Sequence, residues 1–276
     1  MTSDTENNAL VSASWEDELA RDAEAAQEME RHSGGGNFFK TRGGILAFDG
    51  MEIKNNQIAA IILDSLLENV YYAGDFDADN PTSPYCFAHA RREEDLAPHA
   101  VVREHHQDQH EVCKGCDKNK WASADKGKGK ACRNTRRIGI ISAGSLDTYG
   151  KFAPHTDPQY YATAPVGMLK LPVTSVKGYA NFVKQIAGAH KRPLYGVYTR
   201  IKVIPDAKTQ FRITFELLGL IGAAYMPTVM TRRREVMATI DTPYNLDVEG
   251  RADETMKQVA DKVVAEQAAG KTKKRS

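Results

Sequence analysis

The alternation of apolar and polar residues predicts a chain built mostly of strands. Leu194 to Ile204 and Gln210 to Leu217 alternate with a period of two, and Pro205 to Lys208 between them has the composition of a turn. This pair is the clearest β-hairpin in the sequence. Gly167 to Pro172 predicts a short strand. The Ile and Leu content of Gln57 to Tyr72 is compatible with a helix, but its later half is interpreted as strand.

Three segments favour helix. Ser14 to Arg31 is rich in Ala, Glu, Leu and Met and has no Gly or Pro, Ser175 to Ala187 follows a hydroxyl residue suited to an N-cap, and Glu254 to Ala269 precedes a basic tail. Residues 78–137 show no such periodicity. The predicted fold class is therefore mainly β with minor α, and a β-barrel with insertions fits it better than an α/β sheet.

Composition and charge narrow the class of protein. The 276 residues are 41% hydrophobic and 26% charged, which is typical of a globular chain. The longest apolar run, Ile58 to Leu63, is too short to cross a membrane, and no apolar segment of a secretory signal follows Met1, so a cytoplasmic protein is expected. The net charge of +1 hides a cancellation: residues 1–31 carry nine acidic and two basic side chains, and residues 114–137 carry nine basic and two acidic ones.

The four cysteines are concentrated in one part of the chain. Cys86, Cys113, Cys116 and Cys132 lie within 47 consecutive residues. A C-x2-C pair with two more distant thiols is typical of a structural metal site, with Zn²⁺ as the first expectation. An iron–sulfur cluster uses the same ligands, His89 is an alternative ligand for one thiolate, and a redox C-x-x-C lacks the βαβ context that it needs.

A basic segment and several aromatic residues predict a nucleic-acid surface. Lysine and arginine side chains neutralise phosphates, and aromatic rings stack on unpaired bases, so single-stranded nucleic acid is the expected ligand. On the strand predicted after Leu194, a tyrosine and two bases share one face. The candidate nucleic-acid-binding residues are Lys118, Lys120, Trp121, Lys126, Lys128, Lys130, Arg133, Arg136, Arg137, Tyr71, Tyr72, Tyr198, Arg200 and Lys202.

Other functions have weaker support in the sequence. Asp75, Asp77 and Asp79 have the spacing of the start of a Ca²⁺ loop, but the glycine and glutamate that complete such a loop do not follow. No Ser/His/Asp or Cys/His catalytic grouping stands out, so we do not expect an enzyme. A transcription or RNA-polymerase-associated zinc protein is the alternative. The acidic N-terminal segment is predicted either to cover the basic segment in the absence of DNA or to act as a solvated helix.

Several stretches together resemble a known family. They are Pro84-Tyr85-Cys86, Cys113-x2-Cys116 followed by Asn119-Lys120-Trp121, and Gly127 to Asn134 leading into Arg136-Arg137, with supporting matches around Tyr71-Tyr72, Leu171 to Ser175 and Gln210 to Glu216. They resemble single-stranded DNA-binding proteins of tailed phages and prophages. The resemblance implies an OB-like β-barrel with a metal-pinned insertion, and partners in phage DNA replication or recombination in the host cytoplasm. The basic C-terminus differs from the acidic tail typical of phage helix-destabilising proteins.

The predicted organisation has three parts. Residues 1–36 form an acidic helix and a flexible linker. Residues 37–250 form the OB-like barrel with the metal-binding insertion at 78–137, and residues 251–276 form a C-terminal helix and basic tail.

Overall fold

The computed structural model describes residues 18–19, 21–22, 38–74, 83–125 and 128–246. Glu18, Leu19, Arg21 and Asp22 are helical and exposed, in agreement with the helix predicted there. The remainder of that helix, the C-terminal helix and basic tail, the Asp75–Asp79 cluster and Lys126 lie outside the described residues. Within the described ranges, no helix has the length and apolar content needed to span a bilayer.

The described chain is mainly β with a minor share of helix. The strands are β1 (Phe38–Phe39), β2 (Ala47–Phe48), β3 (Met51–Glu52), β4 (Gln57–Tyr71), β5 (Cys86–Ala90), β6 (Arg133–Leu146), β7 (Phe152–Pro154), β8 (Gly167–Leu171), β9 (Val197–Asp206) and β10 (Gln210–Leu220). The α-helices are α1 (Ala100–Glu104), α2 (Pro158–Thr163), α3 (Val173–His190) and α4 (Met226–Thr239). Single 3₁₀ turns lie at Arg42–Gly44, Lys54–Asn56, Glu93–Asp95, Asp117–Asn119 and Leu194–Gly196.

Strand β4 is the centre of an eight-stranded mixed sheet with the order β1-β8-β6-β4-β9-β10. Its start pairs with β9, its end pairs with β5, and most of its length pairs with β6, all antiparallel. The apolar run Ile58 to Leu63 lies here almost wholly buried, because both faces of the sheet are covered. The whole of Gln57–Tyr71 is strand, so the prediction for its later half extends to its beginning.

Two hydrophobic clusters fill the two faces of the sheet. On one face, α3 contributes Tyr179, Phe182 and Ile186. On the other face, α2 contributes Tyr161, and α4 contributes Val229 and Val236. The predicted hairpin is confirmed as β9 and β10, and α3 confirms the predicted helix, although Pro172 rather than a hydroxyl residue occupies its N-cap position.

In the described residues the sheet does not close into a barrel. Strand β10 pairs only with β9, and the short β1 runs parallel to the outer edge of β8. The sheet therefore remains open between its edge strands β1 and β10.

Candidate nucleic-acid interface and metal centre

The segment from Cys86 to Cys132, called here the cysteine module, lies between two paired strands. Val70 near the end of β4 is the register partner of Arg133 at the start of β6. Strand β5 pairs with the same end of β4 and places Cys86 opposite Tyr71. The sheet therefore holds the first cysteine of the module and the residue after the last one close to a common point.

The four cysteines line one small cavity. It has a volume of about 20 Å³, and its lining includes Cys86, Cys113, Cys116 and Cys132 together with Asn69 and Tyr71. A volume of this size accommodates about one water-sized atom. All four thiols are free of disulfides, and Cys113, Cys116 and Cys132 are buried. The structure thus brings together the four residues that the sequence selected.

The close packing of the four cysteines affects the pKa values of Cys86 and Cys132. Burial raises the pKa of Cys86 to about 11 and that of Cys132 to about 12, and the neighbouring cysteines of the cavity act in the same direction on both. Within the described ranges, no three His, Cys, Asp or Glu side chains stand in a ready-made metal-binding arrangement. Coordination of an ion therefore requires the thiol groups to turn into the cavity and to lose their protons.

Asn69 supplies a polar group that suits thiolate ligands. It is 4% exposed, and its amide Nδ2 makes no hydrogen bond of normal geometry in the described part of the chain. Burial raises the pKa of the Cys113 thiol, and the amide of Asn69 opposes that rise. A buried donor without an acceptor costs about 1–3 kcal/mol, and a metal-bound thiolate sulfur is the acceptor that would satisfy it. The residues at the cavity therefore fit a metal held by thiolates.

His89 is not placed to replace a cysteine ligand. Side chains alternate between the faces of β5, so His89 lies on the face opposite to that of Cys86. Its Nδ1 is 2.8 Å from Asp241 Oδ1, and its Nε2 is 3.3 Å from Glu68 Oε1. Both ring nitrogens are therefore already occupied by carboxylates.

Three bases of the module and its flank lie over three aromatic rings. The Lys118 ammonium is 5.1 Å from the Tyr71 ring centre, the Lys130 ammonium 6.0 Å from that of Trp121, and the Arg133 guanidinium 5.7 Å from that of Tyr72. These six residues are called here the basic–aromatic surface. Trp121 is 77% exposed, so one of its ring faces is accessible to a ligand. Among the other candidates of this segment, Lys120 is exposed and paired with Asp117 at 2.6 Å, and Lys128 is exposed.

Three asparagines connect the cysteine cavity with Lys130. Asn134 Nδ2 donates to Asn69 Oδ1 at 2.6 Å and to Asn119 Oδ1 at 3.0 Å. The Lys130 ammonium donates to Asn119 Oδ1 at 3.2 Å and to Asn134 Oδ1 at 2.9 Å. Asn119 Nδ2 donates in turn to the backbone oxygen of Cys113 at 2.9 Å. The position of Lys130 is therefore fixed by side chains that also border the cysteine cavity.

The prediction is wrong for Arg137, and Arg136 is committed to the sheet. Arg137 is 1% exposed and forms a buried ion pair with Glu68 at 2.8 Å. Arg136 donates to Ser65 Oγ at 3.1 Å, and its guanidinium lies 5.3 Å from the Tyr179 ring centre. Both residues belong to β6, so their charges serve the fold.

The predicted face of β9 is exposed only at one end. Tyr198 is 6% exposed and contacts Phe152 at a ring-centre distance of 5.1 Å, so it is a core residue and the prediction of a stacking platform is wrong there. Arg200 pairs with Glu216 at 2.7 Å and donates to the backbone oxygen of Gly150. Lys202 is exposed. The face therefore offers a single accessible cation.

A buried polar cluster around Glu68 was missed by the sequence analysis. Glu68 accepts from Arg137, from Tyr244 Oη at 2.8 Å and from Thr135 Oγ1 at 2.9 Å, and Lys170 lies 3.2 Å away. Burial by itself raises the pKa of Glu68, but the hydrogen bond from His89 and the charges of Lys170 and Arg137 outweigh it and hold that pKa well below its usual range. The cluster fixes the segment after α4, because Arg137 also donates to the backbone oxygens of Ile240 and Thr242.

The sequence contains one signal that could have predicted this cluster, which is a charged residue at an inward-facing position of a strand. Leu66, Glu68 and Val70 share one face of β4, and the two apolar neighbours are core residues. A glutamate between them must be buried with its partners.

Comparison of the chain with protein-family models, with curated proteins and with solved structures finds no match.

Proposed function

We propose that this is a non-catalytic protein that binds single-stranded DNA with little sequence preference. The observation that carries the proposal is the pairing of a cation with a ring at three points of the basic–aromatic surface. Cations follow the phosphates of a strand while its unpaired bases stack on aromatic rings, at about 1–3 kcal/mol per base. The resemblance to phage proteins supports a role in DNA replication or recombination, with other proteins of those processes as partners.

We further propose that the cysteine module is held by one structural Zn²⁺. The support is a cavity lined by four thiols and bordered by an unsatisfied amide donor. Zn²⁺ takes four thiolates in a closed tetrahedral site and leaves no position for a reactant. The ion would order the loop that carries Lys118 and Trp121.

The strand order supports an OB-like core. Strands β4, β6, β8, β9 and β10 lie in the order β8-β6-β4-β9-β10, and α3 connects β8 with β9. This is the order of the five strands of an OB fold, whose helix connects its third and fourth strands. The cysteine module then occupies the loop between the first and second strands, which is one of the two loops that bind oligonucleotides in such folds.

The salt dependence of binding tests the function directly. We expect the logarithm of the association constant for a single strand to fall linearly with the logarithm of salt, by ~0.7 for each phosphate contact. The measurement is a fluorescence-anisotropy titration of a labelled strand at several salt concentrations, with a blunt duplex as comparison. A flat salt response, or equal affinity for the duplex, would contradict the proposal.

A matched pair of variants tests how much the stacking of bases on aromatic rings contributes to the affinity for single strands. Trp121→Ala should weaken binding by about 1–3 kcal/mol, roughly five- to 150-fold, because it removes an exposed ring beside Lys130. Tyr149→Ala is the control, since Tyr149 is 96% exposed but lies beyond the opposite end of β6. Equal effects of the two substitutions would show that the DNA does not follow the basic–aromatic surface.

A further inference from the structure

A cleft of about 220 Å³ adjoins the cysteine cavity, between the module and the start of α3. Leu67, Leu96 and Val176 form its apolar walls, and Asn119, Asn134 and Lys130 supply polar groups. An apolar cavity of about 150 Å³ is known to hold a benzene ring, so this volume accommodates a six-membered ring. The cleft therefore combines space for a flat ring with convergent polar side chains.

Among the residues that the structure describes, the hydrogen bonds around the cleft leave donors without acceptors. The side-chain oxygens of Asn69, Asn119 and Asn134 all accept from a neighbour, and both amide hydrogens of Asn134 are used. Asn119 Nδ2 uses one of its two hydrogens, on the oxygen of Cys113, and the Lys130 ammonium uses two of its three. The capacity that remains on Asn119 and Lys130 is donor capacity, so it suits a ligand that presents an acceptor oxygen.

We propose that this cleft binds one unstacked pyrimidine base of the DNA strand through a carbonyl oxygen, with thymine as the best fit. The proposal rests on the proposed function. The apolar walls contact the faces of the ring, and Lys130 and Asn119 donate to the carbonyl. The cleft contains two cations, Lys114 and Lys130, and the carboxylate of Glu93 offsets one of them. A phosphate group is less suitable than a base, because three apolar side chains form the walls. Thymine presents two carbonyl oxygens, whereas adenine presents only ring nitrogens as acceptors, so we expect adenine to use these donors less well.

Lys130 and Lys128 form a matched pair for the test. Both substitutions to methionine remove one positive charge from the same segment, but only Lys130 lines the cleft, and Lys128 is exposed. Affinities for thymidine and deoxyadenosine homopolymers are measured for the wild type and both variants, with metal content and circular dichroism as checks of folding. We expect Lys130→Met to reduce the thymidine-to-adenosine affinity ratio about tenfold and Lys128→Met to weaken binding to both polymers equally.

A second measurement does not depend on binding of a strand. The side-chain amide signals of Asn119 and Asn134 are followed by NMR during titration with thymidine, adenosine and inorganic phosphate. Thymidine alone is expected to shift them. An unchanged ratio in Lys130→Met, or a shift caused by phosphate and not by thymidine, would overturn the proposal. Failure of the wild type to bind any strand would refute the proposed function, whereas a missing thymidine shift with normal strand binding would refute only the pocket.

Discussion

Cys116→Ser is expected to abolish metal binding and to loosen the cysteine module while the sheet remains folded. Cys116 is buried in the cavity of about 20 Å³ that all four cysteines line. Apart from the proposed metal, the first part of the module is held by the pairing of β5 with β4 and by two small apolar clusters around Phe87 and Leu96. The described residues between Gln107 and Cys132 have no regular element longer than a single 3₁₀ turn. Structural Zn²⁺ sites contribute about 10–16 kcal/mol of apparent binding free energy at neutral pH, and this energy is also folding energy.

Elemental analysis and near- and far-ultraviolet circular dichroism measure the two effects. Val112→Ser is the control, because Val112 is 45% exposed in the same loop and close in sequence to a cysteine. The control should retain the metal and the affinity for single strands, and Cys116→Ser should lose both. A wild-type protein that is fully structured after complete removal of metal would refute the structural role of the ion.

The second large effect is expected at Glu68. Glu68→Gln removes the negative partner of Arg137, whose side chain is 1% exposed, and leaves a buried charge without compensation. Breaking one side of a buried ion pair costs about 3–5 kcal/mol in the free energy of unfolding. Chemical denaturation at neutral pH measures this loss. Glu94→Gln on the exposed 3₁₀ turn should leave the stability almost unchanged.

The same residue predicts a dependence on pH. The folded pKa of Glu68 lies well below its usual value, so between the folded and unfolded pKa values only the unfolded chain binds the proton. The stabilisation is fully present above the ordinary glutamate pKa of about 4.3 and is lost as the pH falls through the folded pKa. Wild-type stability should therefore decrease more steeply on acidification than that of Glu68→Gln. Parallel acid-unfolding curves for the two proteins would contradict this account.

The elements that could be predicted were those in which one physical signal dominates. Strands β9 and β10 alternate cleanly around a turn, and α3 has a good helical composition. Strand β4 was ambiguous because a continuous apolar run suits a buried helix as well as a central strand, and only its burial between two covered faces decides the matter. Helix α4 was missed because consecutive arginines separate its two core residues, Val229 and Val236.

In the candidate site, too, the sequence predicted the positions of some residues and not of others. Cysteine spacing predicted convergence because a C-x2-C pair restricts where two thiols can lie, and the cavity contains all four residues. Charge gave no such information: Lys118 lies over a ring at the surface, whereas Arg137 in the same basic segment is buried. Their positions distinguish them, because Lys118 lies in a 3₁₀ turn and Arg137 lies at a buried position of β6. Tyr198 was correctly predicted on a strand but was assigned to the surface, because a tyrosine on a strand face is compatible with either environment.

The pairing of Val70 with Arg133 has a consequence for how the molecule opens. The sheet already joins the two ends of the insertion. Folding of the cysteine module therefore has no additional loop-closure entropy cost for bringing those ends together. The module can therefore unfold and refold as a separate cooperative unit while the strands beneath it stay protected. Amide hydrogen exchange should then divide the chain into two groups. Exchange between Gln107 and Cys132 should respond to a chelator, and exchange in β4, β5, β6 and β9 should not.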